Sequence, residues 1–123
     1  KKELVDECLV LAKESGATIK FTDDVMVGSK NADVIYTDVW VSMGEPDIVW
    51  KERINQLMPY QVNKKIMENA EENAIFMHCL PAHRGQEVSP LVIDGPQSKI
   101  YQQAHNRMHA ARGVLAFLMG VQQ

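Results

Sequence analysis

The sequence predicts an α/β fold built on a parallel sheet. Helix-like and strand-like patterns alternate along the whole chain, and alternation of that kind implies crossover connections between parallel strands. Two of the strand-like runs are also apolar almost without interruption, the pattern of strands covered on both faces. The last element carries a single long helical stripe.

Taken in order, Leu4, Cys8 and Leu11, with Val5, Leu9 and Ala12 beside them, recur at four- and three-residue steps. This is one apolar helical face, and Gly16 follows as a C-terminal stop. Thr18-Ile19-Lys20-Phe21-Thr22 alternates and is rich in β-branched residues, so it reads as a short strand. Asp23-Asp24 can cap a short helix through about Lys30, with a break near Asn31. Val34-Ile35-Tyr36-Thr37-Asp38-Val39-Trp40 is the first continuous apolar run. Gly44-Glu45-Pro46 opens a helix whose buried face would be Trp50, Ile54 and Leu57, ended by Pro59. Residues 64–72 form a polar helix. Ala74-Ile75-Phe76-Met77-His78-Cys79-Leu80 is the second apolar strand, stopped by Pro81. A loop with Gly85, Pro90, Gly95 and Pro96 leads to a short strand around Ile100-Tyr101. The final helix aligns Ala104, Met108, Ala111, Leu115 and Leu118 on one stripe, expected to be buried.

Composition bounds the function. The 123 residues suffice for one modest domain, and 46% hydrophobic with 24% charged residues is the balance of an ordinary globular protein. The net charge of −3, with no Lys/Arg run longer than two, gives no footprint for nucleic acid or an anionic membrane. No apolar stretch approaches the roughly 20 residues of a membrane span, and no basic leader precedes an apolar segment. Cys8 and Cys79 are too few for a disulfide framework, so a cytoplasmic chain with free thiols is expected. The chain opens on Lys1-Lys2-Glu3, already helical in pattern, which suggests a piece of a larger domain.

In an open parallel sheet, ligands bind beyond the carboxyl ends of the strands. One strand runs out at Asp38 and continues through Ser42-Met43-Gly44; the other runs out at His78-Cys79-Leu80-Pro81. As parallel neighbours they would bring a carboxylate, a hydroxyl, a thiol and an imidazole to one crevice. Each residue alone has a plainer reading. Cys79 is a small buried hydrophobe, Asp38 a turn cap, Ser42 a helix cap, Met43 a core residue, His78 a satisfied histidine and Arg107 a solvated charge.

The combination is more specific. Asp38-Val39-Trp40-Val41-Ser42-Met43-Gly44 resembles the ornithine-binding loop of ornithine carbamoyltransferases. The run from His78-Cys79-Leu80-Pro81 to Val88 resembles that family's second signature, and Ala104-His105-Asn106-Arg107-Met108-His109-Ala110 a third. The three stand in the family's order, and the similarity extends over essentially the whole chain. The resemblance implies a Rossmann-like sheet. It implies that residues 1–123 are the C-terminal part of the ornithine-binding domain. The activity implied is transfer of the carbamoyl group from carbamoyl phosphate to the δ-amine of L-ornithine, giving citrulline and phosphate.

It also implies roles. Asp38 would take the α-ammonium of ornithine, and Ser42 with the Met43 backbone the rest of its amino-acid end. Cys79 would lie between the two substrates, as the catalytic residue and a contact to both. Leu80 would offer a backbone contact to carbamoyl phosphate, Pro81 would be cis, and Arg107 would reach the phosphate. His105 stands where the family usually has an acidic residue. Neither metal nor organic cofactor is required, because the step is an amine attacking a polarised carbonyl. A homotrimer is the implied assembly. The family's N-terminal phosphate-binding loop and the first two strands of this domain have no match here. The strand at Ile19 would therefore lack its neighbour, and the chain alone is expected to be inactive. Two other readings are a carbamoyltransferase for putrescine or an acylated ornithine, and a small metal module built on His105 and His109, spaced i, i+4. The intact Ser42-Met43-Gly44 argues against the first, and the second lacks a third ligand at a convincing spacing.

Overall fold

The computed structural model describes residues 1–41 and 44–121. Helix α1 (Lys2–Ser15) ends where Gly16 turns left-handed at φ 75°, a conformation glycine adopts without steric cost. Helix α2 (Val25–Ser29) starts on Asp24, whose carboxylate accepts the backbone N–H groups of Met26 and Val27. Strand β1 (Val34–Thr37), helix α3 (Asp47–Leu57) with a 3-10 turn (Met58–Tyr60), and helix α4 (Lys64–Asn69) follow. Strand β2 (Ile75–His78), the short helix α5 (Pro90–Ile93) and helix α6 (Ile100–Leu118) complete the chain.

The sheet is β1 beside β2, parallel, with Val34 opposite Ile75 and Thr37 opposite His78. Its core gathers on β2: Ala74 and Phe76 pack with Val62, Ile66, Met67, Val88, Val92, Ile93 and Ile100. Short links tie the surrounding elements to this centre. Val62 and Val88 form a parallel bridge, and Asn69 of α4 donates to Met26 O and Ser29 Oγ of α2. The α/β class and the parallel pairing follow the sequence expectation.

Four expectations need correction. Residues 18–22 are not a strand, and Phe21 is 70% exposed. A strand exists through hydrogen bonds to a neighbour, and none of the described residues supplies one beside Ile19. β1 takes up only the first four residues of its apolar run and is not covered on both faces: Val34 and Tyr36 are exposed. Ile100-Tyr101 opens α6 instead of forming a strand. The extended pairing occurs just before it, where Phe76 N donates to Gln97 O and Lys99 N to Phe76 O. The stripe of α6 is not buried either, with Leu115 58% and Leu118 73% exposed. Length explains this. The 19-residue α6 runs about 28 Å at roughly 1.5 Å per residue. The four-residue β2 spans only about 13 Å. Only the start of the helix has a sheet to lie on, and there Ile100 is buried.

Smaller departures are local. Pro46 caps α3 from outside its first turn, and Trp50, Ile54 and Leu57 are half-buried. α4 stops at Asn69 and buries Ile66 and Met67, so it is less polar than its sequence suggests. The loop expected between residues 81 and 99 contains α5. The apolar stripe of α1 forms as a helix face, yet among its residues only Ala12 is buried.

Phe76 is wholly buried at the centre of this packing, so Phe76→Ala should cost about 3–5 kcal/mol in urea denaturation. Asp24→Ala, which removes only a cap, should cost about 0.5–2 kcal/mol. Equal losses would mean that the core is not centred on β2.

Candidate functional site

The parallel register decides what meets at the sheet's edge. Thr37 and His78 are the last paired residues, so Asp38 and Cys79 leave their strands side by side. The Cys79 thiol donates to Asp38 Oδ1 at 2.9 Å, and the same oxygen accepts Val39 N–H at 2.7 Å. Each group shifts the other. The thiol bond holds the Asp38 carboxyl below the usual carboxylate range, helped by Val39 N–H. The Cys79 thiol is pushed up, first because it donates to Asp38, then by burial and by the nearby negative charge. The Tyr36 hydroxyl acts on the thiol in the opposite direction. By linkage, Asp38's share of stability is present above its unfolded pKa and fades as pH falls through its lowered folded value. Cys79's share is present below the unfolded thiol pKa and fades as pH rises through its raised one.

The turn after Cys79 is held from inside. His78 is buried, and its Nδ1 accepts Leu80 N–H at 2.8 Å. An Nδ1 that accepts carries no proton, so the hydrogen of a neutral ring sits on Nε2. That atom faces Glu87 Oε1 at 3.3 Å in a wholly buried pair. Glu87 Oε1 accepts His83 N–H. Leu80 takes φ 58°, which costs a non-glycine residue roughly 1–2 kcal/mol. Strain of this size persists only where the surroundings over-determine it, and the imidazole supplies one such tie. The Leu80–Pro81 peptide is cis, as expected.

The loop after β1 is tied at both ends by Arg53 of α3, which donates to Trp40 O at 3.4 Å and pairs with Glu45 at 2.8 Å. Trp50 of α3 meets the His83 ring edge-on, 5.4 Å between centroids, joining the two strand-end loops. Ser42 and Met43, expected in the ornithine-binding set, lie outside the described residues.

The site residues are therefore placed unequally. Asp38, Cys79 and Leu80 come together, whereas Arg107 is exposed on α6 and makes no hydrogen bond to these loops among the described residues. The packed face of α6 is that of Ile100 and Gln103, and Arg107 continues it at the i+7 and i+4 positions. Contacts advance along β2 as the chain proceeds, from Gln97 and Lys99 on Phe76 to Gln103 on His78 N at 3.0 Å. Arg107 follows one turn after Gln103 on the same helix.

Sequence reasoning missed Gln103, Glu87 and Arg53. The only local signal was Gln103's place one turn before Arg107. Donor atoms of Asp38, His78 and Cys79 lie within 4.8 Å of one another. With Nδ1 taking Leu80 N–H and Nε2 turned to Glu87, however, the imidazole has no free lone pair to offer a cation. The His105 and His109 rings do lie together, 4.6 Å between centroids on an exposed part of α6. No third ligand gathers beside them among the described residues.

Comparison with known proteins adds a separate line of observation. Residues 1–118 match the Asp/Orn-binding domain of aspartate/ornithine carbamoyltransferase. The ornithine carbamoyltransferase of Hyperthermus butylicus is 51% identical over 119 residues, covering 97% of this chain and 38% of its own. The solved structure of that of Pyrococcus furiosus is 48% identical, with a TM-score of 0.82 over 91% of this chain and 36% of its own. The anabolic ornithine carbamoyltransferase of Campylobacter jejuni reaches a TM-score of 0.88 at 33% identity, over 99% of this chain and 40% of its own. The chain thus spans about 38% of the length of the curated relatives it matches.

The Asp38–Cys79 contact predicts thiol behaviour directly. Asp38→Asn removes the charge that disfavours the thiolate, so alkylation of Cys79 near neutral pH should quicken several-fold, about 3- to 10-fold. Cys8, on α1 and without a hydrogen bond to Asp38 among the described residues, should react at an unchanged rate, which peptide mass mapping can follow. An unaltered Cys79 rate would break the coupling.

Proposed function

The chain belongs to the aspartate/ornithine carbamoyltransferase family, and from that premise we propose that it is the ornithine-binding portion of an ornithine carbamoyltransferase. In this reading the full-length enzyme transfers the carbamoyl group of carbamoyl phosphate to the δ-amine of L-ornithine, and residues 1–123 supply part of the second domain. The observation that carries the proposal is the Cys79–Asp38 contact of 2.9 Å at the joined ends of two parallel strands. It joins one residue of each of the first two motifs at the sheet edge beyond which open sheets bind ligands.

The chemistry assigns the roles. A neutral δ-nitrogen attacks the carbamoyl carbon, a C–N bond forms, the C–O bond to phosphate breaks and a proton leaves the nitrogen. Asp38, ionised well below neutral pH, takes the α-ammonium by a charge-assisted bond. Ser42 and the Met43 backbone hold the rest of the amino-acid end. Cys79 stands between the substrates and contacts both. Its raised pKa keeps the thiol protonated, so it offers a hydrogen to the reacting groups. Leu80 presents backbone to carbamoyl phosphate from a turn held rigid by His78. Arg107, one turn after Gln103 on α6, binds the phosphate through its planar fork and offsets the charge that grows as phosphate leaves.

The enzyme works as a homotrimer in the cytoplasm, within arginine metabolism. Among the described residues no helix is long and apolar enough to cross a membrane.

Two substitutions in the full-length protein test the assignment by separate ligand titrations. Asp38→Asn should weaken ornithine binding about 10- to 100-fold and leave carbamoyl phosphate unaffected. Arg107→Gln should do the reverse, weakening carbamoyl phosphate and inorganic phosphate by a similar factor with little change in melting temperature. Equal losses of both ligands in the first variant would make Asp38 structural. Unchanged phosphate inhibition in the second would return Arg107 to a solvated helix face.

A further inference from the structure

Helix α3 turns one face inward. Trp50, Arg53, Ile54 and Leu57, at i, i+3, i+4 and i+7, are half-buried, whereas Lys51, Glu52, Asn55 and Gln56 are exposed. An arginine therefore stands where the helix pattern calls for an apolar residue, and a charge in that place needs partners. It has two, both on the segment between β1 and α3. Arg53 Nη1 donates to Glu45 Oε1 at 2.9 Å, lies 2.8 Å from Glu45 Oε2, and reaches Trp40 O at 3.4 Å. Trp40 is two residues past Asp38, and Val41, whose N–H belongs to the same peptide group as Trp40 O, is 2% exposed. The helix that carries Arg53 also meets the other strand-end segment, through the edge-on contact of Trp50 with His83.

We propose that Arg53 is a positioning residue for the ornithine side of the site: from the inward face of α3 it holds Trp40 O and Glu45 together and so fixes the backbone that Asp38 opens. Arg53 is not itself a ligand in this reading and acts through Asp38. One guanidinium nitrogen makes all three contacts, and its two hydrogens are enough to serve a carbonyl and a carboxylate at once. The plainer role would be an ordinary ion pair at the start of α3. A partly exposed pair adds little to stability, so its loss would leave ligand binding as it was. The two roles therefore differ in what they do to ornithine. The inference rests on the reading of Asp38 as the ornithine ligand, but the hold of Arg53 on its segment can be tested without either substrate.

The experiment compares Arg53→Gln, Glu45→Gln, the double variant and Arg53→Lys with wild type in the full-length protein. Hydrogen exchange followed by mass spectrometry reads the segment without substrate, and separate titrations read ornithine and carbamoyl phosphate. In Arg53→Gln, residues 39–41 should exchange faster while residues 75–78 of β2 keep their rate. Ornithine binding should weaken about 10-fold, the effect of one charge-assisted bond, and carbamoyl phosphate binding should be unaffected. Glu45→Gln should act in the same direction, and the double variant should be no worse than Arg53→Gln alone, because both residues work through one tie. Arg53→Lys keeps a charged nitrogen with donors to spare, so it should recover most of the ornithine affinity, and it guards against a folding failure of the glutamine variant. Unchanged exchange in Arg53→Gln, equal weakening of both ligands, or losses that simply add in the double variant would each overturn the role. So would an Arg53→Gln enzyme that binds ornithine normally while Asp38→Asn does not. If Asp38→Asn itself leaves ornithine binding intact, the proposed function falls, and the exchange rates still decide whether Arg53 holds the segment.

Discussion

Because β1 and β2 run parallel with Thr37 opposite His78, both chains leave the sheet at the same edge and in the same direction. An antiparallel pair would send them to opposite ends, and a slip of one residue would turn Asp38 and Cys79 to different faces. The 2.9 Å thiol–carboxylate bond is thus a consequence of backbone pairing more than of any attraction between the two side chains. The exposed pair is screened by water and adds little to stability. What it reports is alignment.

The alignment is maintained from below by polar groups that the core surrounds. His78 and Glu87 are both fully buried, an arrangement that contributes modestly to stability but tolerates few alternative geometries. Glu87 receives the chain again at His83, and His78 receives it at Leu80. The segment between strand end and α5 is therefore closed on itself around one carboxylate. Gln61 adds an outer tie by donating to Gly85 O and Gln86 O. Rigid support of this kind is what a site on a loop needs if the groups it presents are to hold their places without their partners bound.

α6 gives the same sheet edge a third contributor. Its first turns are packed through Ile100 and Gln103, and the remainder runs on past the strands with its apolar stripe in the open. Its placement on the sheet is decided in its first turn, through Ile100 and Gln103, and the rest of the helix follows from that. Arg107 lies on the same helical face as Gln103, one turn later, and is exposed.

What the sequence by itself determined is local or chemical. Helix α1 with its Gly16 stop, the Asp24 cap, the two strand centres, the cis proline and the three family motifs were all legible. A helix closes its hydrogen bonds within a few residues, and a motif is a matter of residue identity. Only the tertiary structure decided the rest. Residues 18–22 carry a good strand pattern and form no strand, because ladder hydrogen bonds belong to a pair and not to a segment. The stripe of α6 is amphipathic yet uncovered, because burial depends on what lies opposite. The parallel-sheet reading anticipated the approach of Asp38 and Cys79, whereas the His78–Glu87 pair and the Gln103 bridge join residues whose meeting depends on register and helix placement. No local pattern of polarity encodes that meeting, so it appears only once the strands have paired and α6 has settled on β2.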